Sequence, residues 1–138
     1  MKKLISCLSA LCLSASASAS ACAGTVIYTD SSNPVGSPSP DIPVVYLDAP
    51  EHVQTDIFGT LPANPALAEK QARAVLNSPA FSSQQQQLIR AYQGVMKAWS
   101  LGLAKYPAVV FDDKWVVYGT TDVSVAMNHL ADWRGGNQ

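Results

Sequence analysis

The fold is decided by one stretch near the C-terminal end, Tyr106-Pro107-Ala108-Val109-Val110-Phe111-Asp112-Asp113-Lys114-Trp115-Val116-Val117-Tyr118. Two runs of β-branched and aromatic residues, 108–111 and 115–118, flank three polar residues. This pattern predicts an antiparallel hairpin with a turn at 112–114. The proline directly before the first run stands where a strand commonly starts. The stretch therefore predicts two adjacent strands near the C-terminal end of the chain.

Two further strands are predicted nearer the N-terminus. Val26-Ile27-Tyr28-Thr29 and Val44-Val45-Tyr46-Leu47 are short runs of the same kind. The segment between them, 30–43, holds four prolines and a glycine among small polar residues, and this composition predicts a loop. Asp48-Ala49-Pro50 is expected to close the second strand.

Helices are predicted between the second and third strands. Asn64 stands before Pro65 as an N-cap, and Ser78-Pro79 ends that helix. A second helix is expected to open at Ser82 and Ser83, because Gln85 and Gln86 follow three residues later as in a capping box. Its apolar residues recur at helical spacing, and we expect its aromatic members Tyr92 and Trp99 in the core: Leu88, Ile89, Tyr92, Val95, Met96, Trp99 and Leu103.

A last helix follows the hairpin. Thr121 is expected to cap it, Gly135-Gly136 to end it, and its apolar residues to be buried: Val123, Ala126, Met127 and Leu130.

The order strand, strand, helices, hairpin, helix predicts an α/β fold in three layers. Long connections allow the first two strands to pair in parallel, and the hairpin adds antiparallel strands. This order matches a thioredoxin-like layout with a mixed four-stranded sheet and flanking helices. A cis-proline in that layout starts the third strand, facing the loop after the first strand. We therefore expect a cis bond at Pro107; the alternative is an ordinary trans proline at a strand start.

The predicted loop excludes thiol chemistry at the corresponding position. A redox-active protein of this layout carries Cys-x-x-Cys after the first strand, with a cysteine of lowered pKa as the nucleophile. Here the loop begins Asp30-Ser31-Ser32-Asn33-Pro34, without sulfur. Since a serine hydroxyl cannot exchange with a disulfide, we predict a domain without redox activity.

Metal, hydrolytic and nucleic-acid sites have little support. His52 lies among Asp48, Glu51 and Asp56, and would form an i,i+4 pair with Asp56 on a helix, but we interpret this as a solvated helix end. His129 is expected on the surface. No G-x-S-x-G elbow accompanies the serines, and no cofactor or metal is predicted.

The aromatic residues near the hairpin have two interpretations. Tyr106, Trp115, Tyr118 and Trp133 cluster around it and the last helix. We favour a core position for this set over a partner interface, although part of it is expected to stay exposed.

The N-terminal residues 1–23 predict a cleavable secretory signal. Met1-Lys2-Lys3 is positively charged, an apolar run follows, and Ala21-Cys22-Ala23 precedes Gly24 as a cleavage site. Cleavage there leaves residues 24–138 as a single cysteine-free domain, expected in the periplasm. Its seven basic and ten acidic residues give a net charge of about -3, which offers no reason to expect direct nucleic-acid binding. The alternative is cleavage before Cys22, whose acylation would anchor the protein to a membrane.

Six stretches resemble, in order, the small exported proteins of integrating conjugative elements, a family of unknown function: Tyr46–Glu51 (YLDAPE), Leu61–Pro65 (LPANP), Ala91–Trp99 (AYQGVMKAW), Lys105–Asp112 (KYPAVVFD), Val116–Gly119 (VVYG) and Thr121–Val123 (TDV). The resemblance implies a periplasmic accessory of a type IV secretion-like mating apparatus, with other transfer proteins as partners. It implies no catalytic residue.

Two functional hypotheses follow from these observations. The first is a non-catalytic binding or assembly module, in which Asp30, Ser31, Ser32, Tyr106 and Pro107 line a groove that receives an extended segment. The second is a periplasmic redox or hydrolytic helper, acting through Cys22 or through a site that the motifs do not reveal.

Overall fold

Four short strands form one mixed sheet in the computed structural model, which describes residues 24–136. The predicted signal, residues 1–23, lies outside the described residues. The strands are β1 (Thr25–Thr29), β2 (Val44–Tyr46), β3 (Ala108–Phe111) and β4 (Trp115–Tyr118). They are ordered β2-β1-β3-β4, with β1 parallel to β2 and the other neighbours antiparallel. The predicted sheet is confirmed.

Four helices flank the sheet: α1 (Ala49–Phe58), α2 (Pro65–Leu76), α3 (Phe81–Ser100) and α4 (Val123–Gly136). Alternate side chains of each central strand point to opposite faces. On one face Ile27 and Val109 pack with Ala126 of α4, and Val35 and Ile42 from the loop 30–43 complete this layer.

On the other face Tyr28 and Val110 pack with Ala98 of α3. The central strand β3 is buried throughout its length. This α/β arrangement in three layers agrees with the predicted fold and is compatible with the thioredoxin-like layout.

The helix boundaries correct several sequence predictions. The sequence predicts a helix end around His52 but no bounds for helix α1, which is separated from β2 by two residues. Pro50 lies in its first turn, where proline is tolerated because the first N–H groups of a helix have no partner within it. Helix α3 begins at Phe81, and Ser83 Oγ donates to the carbonyl of Ala80 instead of accepting at the cap. The prediction of Ser82 and Ser83 as caps is therefore wrong.

Of the other two predicted N-caps, one is confirmed and one is wrong. The predicted N-cap of α2 is confirmed, since Asn64 Oδ1 accepts from the N–H groups of Ala66 and Leu67. The cap of α4 is Asp122, not Thr121: its Oδ1 accepts from the N–H groups of Ser124 and Val125. A carboxylate is favoured there because the N-terminus of a helix carries a partial positive charge.

The hairpin follows the prediction closely. The Tyr106–Pro107 peptide bond is cis, as expected. Asp112 and Asp113 both have φ of 53°, and the N–H of Lys114 donates to the carbonyl of Phe111. Positive φ at both central residues is typical of a type I′ turn, whose twist matches that of antiparallel strands.

Helix α3 is rotated relative to the prediction. Ala91, Gly94 and Ala98 face inward, and a Cβ added at Gly94 would lie 2.7 Å from Val45 Cγ1. Small side chains thus let the helix approach β2 closely. One consequence is that Trp99 is 84% exposed and Met96 66% exposed. The prediction that Tyr92 and Trp99 lie in the core is wrong; with the other exposed residues they form the α3 stripe: Ile89, Tyr92, Met96 and Trp99.

Candidate functional site

The candidate site lies at the end of the sheet where β1 stops and β3 starts. Tyr28 pairs with Ala108, so the register carries the loop after β1 to the same end as Pro107 and Tyr106. The structure thereby brings together the two segments that the sequence predicted to line a groove. The two segments differ in how many of their polar groups are already hydrogen-bonded within the protein.

The last residue of β1 and the first residues of the loop 30–43 are hydrogen-bonded to one another. Asp30 Oδ1 accepts from the Asn33 N–H at 3.0 Å and from Asn33 Nδ2 at 2.8 Å. Thr29 Oγ1 donates to the Asn33 carbonyl at 2.6 Å. These local bonds close the loop as an Asx-turn does, so the carboxylate of Asp30 serves mainly to shape the loop.

Ser31 connects the loop to the start of α1. Its N–H donates to Asp48 Oδ2 at 2.9 Å, and its Oγ lies 3.2 Å from His52 Nε2. His52 Nε2 also contacts Asp48 Oδ2 at 3.1 Å. Three polar side chains therefore meet at the surface, next to the loop after β1.

The environment of Asp48 lowers the pKa of its carboxyl group. Burial would raise this pKa, but the hydrogen bonds from Ser31, and then that from His52, outweigh burial because they stabilise the ionised form. The other carboxylate oxygen, Oδ1, is buried and has no partner among residues 24–136.

The Ser31, Asp48 and His52 cluster differs from a hydrolytic triad. In a triad the histidine holds the serine hydroxyl with one ring nitrogen and the orienting carboxylate with the other. Here one nitrogen, Nε2, faces both Ser31 and Asp48. A carboxylate on Nε2 competes with the hydroxyl, so this arrangement does not prepare Ser31 as a nucleophile.

Tyr106 and Pro107 lie directly before β3, at the same end of the sheet as the loop after β1. Tyr106 is 53% exposed. Its peptide N–H and C=O, which a continued β1–β3 ladder would bond to Asp30, have no hydrogen-bond partner among residues 24–136. On the opposite side of this segment, the carbonyl of Pro107 accepts from the Gly119 N–H of the hairpin at 2.8 Å. Ser32 is exposed on the facing loop.

The prediction for His129 is confirmed, whereas His52 has a different partner from the one considered. His52 pairs with Asp48, four residues before it, and not with Asp56. Within the described part of the chain no group of three or more His, Cys, Asp or Glu side chains is placed to hold a metal ion. His129 is exposed, as predicted.

Sequence reasoning missed the link from Asp48 and His52 to Ser31. The i,i+4 spacing of Asp48 and His52 was a usable signal, but the bounds of α1 were not predicted. The core interpretation of the hairpin aromatics is wrong for Tyr106, Tyr118 and Trp133, which are exposed.

A cavity of about 660 Å³ lies elsewhere, between the loop 30–43 and the start of α4. Its lining includes Val35 and Ile42, the residues that close the core on this side. We therefore assign it to the packing of the loop and not to the candidate site.

These features define an α/β domain with a sulfur-free loop at the carboxyl end of β1. The chain belongs to the family described as a protein of unknown function (DUF1525), whose model matches residues 22–136. No curated protein and no solved structure matches the chain. Within the described residues, no helix has the length and apolar character needed to cross a bilayer.

Proposed function

We propose that this protein is an exported, non-catalytic binding module that serves a conjugative, type IV secretion-like DNA-transfer apparatus as a periplasmic accessory or assembly component. Two sequence features support the location and the system: the signal-like residues 1–23 and the resemblance to exported proteins of integrating conjugative elements. Other proteins of the transfer apparatus are the proposed partners.

The observation that carries the binding role is the unpaired backbone of Tyr106. A half-exposed aromatic residue offers a peptide N–H and C=O at the point where a ladder stops. An extended partner segment gains main-chain hydrogen bonds at such an edge, and its side chains gain contact with the aromatic ring. We place that segment in the groove between Tyr106–Pro107 and the loop residues Asp30, Ser31 and Ser32.

The alternative is a hydrolytic or redox helper. The contact between Ser31 Oγ and His52 Nε2 is the observation in its favour. Against it, Asp48 occupies the same nitrogen, and residues 24–138 contain no cysteine. The binding role therefore has the stronger support.

A mating assay separates the two functions. A donor strain that lacks the gene is complemented with the wild type, Tyr106→Ala, Ser31→Ala or the control Lys70→Ala on the surface of α2. We expect Tyr106→Ala to lower DNA transfer roughly tenfold, the effect of removing one central aromatic contact. Ser31→Ala and Lys70→Ala should transfer at the wild-type frequency, with equal protein amounts in periplasmic extracts.

Two results would contradict the proposal. Normal transfer by the deletion strain would show that the apparatus does not need this protein. Loss of transfer with Ser31→Ala but not with Tyr106→Ala would favour the enzymatic alternative.

A further inference from the structure

A second surface, separate from the groove at Tyr106, lies along the free edge of β4. This strand pairs only with β3, and no strand within residues 24–136 lies beyond it. Gly119 bonds to Pro107 across the hairpin, and hydrogen-bonded pairs alternate along an antiparallel ladder. The N–H and C=O groups of Val116 and Tyr118 therefore point away from β3, toward the open edge.

The edge of β4 lacks three of the features by which proteins block strand pairing: a charged residue within the strand, a proline and a bulge. Its sequence is Trp-Val-Val-Tyr, without proline, glycine or charge. Proteins commonly protect such edges with charged residues, prolines or bulges, because an exposed apolar edge pairs with other chains. An unprotected edge of high β-propensity is suited to receiving a further strand.

A groove beside this edge gives the incoming strand a place for its side chains. It has a volume of about 360 Å³ between β4 and α4. Its walls include Trp115, Val117, Leu130 and Trp133, and the two indole rings lie 5.4 Å apart. Every second side chain of an added strand would point into this groove, so those positions should be apolar.

The charges at one end of the groove define the chemistry of the partner. Lys114 Nζ lies 4.8 Å and Arg134 Cζ 5.0 Å from the centre of the Trp115 ring. Neither cation forms an ion pair with any of residues 24–136. Two unpaired cations on one ring favour carboxylates beyond this end of β4.

We propose that the β4 edge binds an extended, acidic segment of a partner protein as a fifth strand of the sheet. Main-chain bonds form to Val116 and Tyr118, alternate apolar side chains enter the groove, and carboxylates lie against Lys114 and Arg134. This surface is independent of the groove at Tyr106, so each can fail without the other.

A peptide titration followed by NMR tests this inference on the ¹⁵N-labelled exported protein. The probe is a short synthetic peptide of alternating valine and threonine that ends in two aspartates. We expect the largest shifts at the amides of Val116 and Tyr118 and at the Trp115 indole, with the Tyr106 amide unchanged. A peptide ending in two lysines should bind roughly fivefold or more weakly. A peptide with N-methyl groups at its pairing positions should not bind.

Charge-reversal variants provide the matched comparison. Lys114→Glu combined with Arg134→Glu should reverse the preference, so that the lysine peptide binds better than the aspartate peptide. Arg90→Glu on α3 should leave the preference as it is. Equal binding of both peptides, shifts confined to Tyr106 and its loop, or no shifts at all would overturn the proposal. Concentration-dependent shifts at Val116 and Tyr118 without peptide would also overturn it, since a second copy would then occupy the edge.

Discussion

Asp48 shows how one side chain joins parts of the chain that the sequence keeps apart. Its Oδ2 accepts from the N–H of Ser31, seventeen residues earlier, and contacts His52, one helical turn later. The second contact could be read from i,i+4 spacing once a helix is recognised. The first depends on the parallel pairing of β1 with β2, which brings the ends of both strands together. A sequence pattern has no direct signal for such a contact.

The lowered pKa of Asp48 predicts a pH-dependent contribution to stability. The ordinary carboxyl pKa is about 3.9, and a group whose pKa is lowered on folding stabilises the native state above that value. This contribution is lost as the pH falls through the native pKa. We expect Asp48→Asn to be less stable than the wild type at pH 7, with the difference disappearing toward pH 2. Urea unfolding between pH 7 and pH 2 measures the difference in unfolding free energy between the two proteins. A difference that does not change with pH would contradict the lowered pKa of Asp48.

The exposure of Trp99 gives a second prediction at the scale of one residue. Trp99→Ala should change the free energy of unfolding by no more than about 0.5 kcal/mol, because most of the ring is already in water. Val110→Ala, at a fully buried position of β3, should lower it by about 2 kcal/mol. Urea denaturation of both variants provides the comparison. A loss for Trp99→Ala as large as that for Val110→Ala would mean that the indole ring is packed.

At the scale of elements, helix α3 shows that hydrophobic periodicity predicts where a helix lies but not which of its faces is buried. Its apolar repeat predicted a helix here, and one is present. The helix carries two neighbouring rows, however: the inward positions 88, 91, 94, 95 and 98, and the α3 stripe. Hydrophobicity alone favours the row with the larger side chains. Close packing instead selects the row with alanine and glycine, because Gly94 must fit against Val45.

Gly94 is therefore the position at which to test the packing of α3 on β2. Alanine would gain about 1 kcal/mol of helix propensity, but its Cβ would lie 2.7 Å from the stiff side chain of Val45. We expect Gly94→Ala to lower stability by about 1–3 kcal/mol in thermal or urea unfolding.

Two variants complete this test. Adding Val45→Ala should recover part of the stability that Gly94→Ala loses, since it removes the clashing methyl groups. Gly36→Ala, with no atom near the added Cβ, is the matched control and should be close to the wild type. A Gly94→Ala protein of unchanged or higher stability would contradict the observed approach of α3.

At the scale of the whole molecule, the strands, their order and the hairpin turn were predictable from local composition. The β-branched runs and the polar turn at 112–114 are short-range signals, and four strands with three predicted helices already leave few layered arrangements. The register of β1 with β3 places the loop after β1 and Pro107 at the same end of the sheet, and the groove between them stays a prediction. The hydrogen bonds and exposure of these residues were not predictable. Asp30 accepts from the N–H of Asn33, and the N–H of Ser31 donates to Asp48. The N–H and C=O of Tyr106 have no partner among residues 24–136. These outcomes depend on three-dimensional contacts between distant segments.

We propose that the protein acts by holding a partner of the transfer apparatus beside Tyr106. The most direct measurement is photo-crosslinking in mating donor cells, with Tyr106 replaced by a photoreactive phenylalanine analogue. The control places the same analogue at Leu67, an exposed residue of α2 far from the groove in sequence. We expect an adduct with a component of the transfer apparatus, identified by mass spectrometry, from position 106 and not from position 67. No adduct at position 106, or the same adducts at both positions, would contradict it.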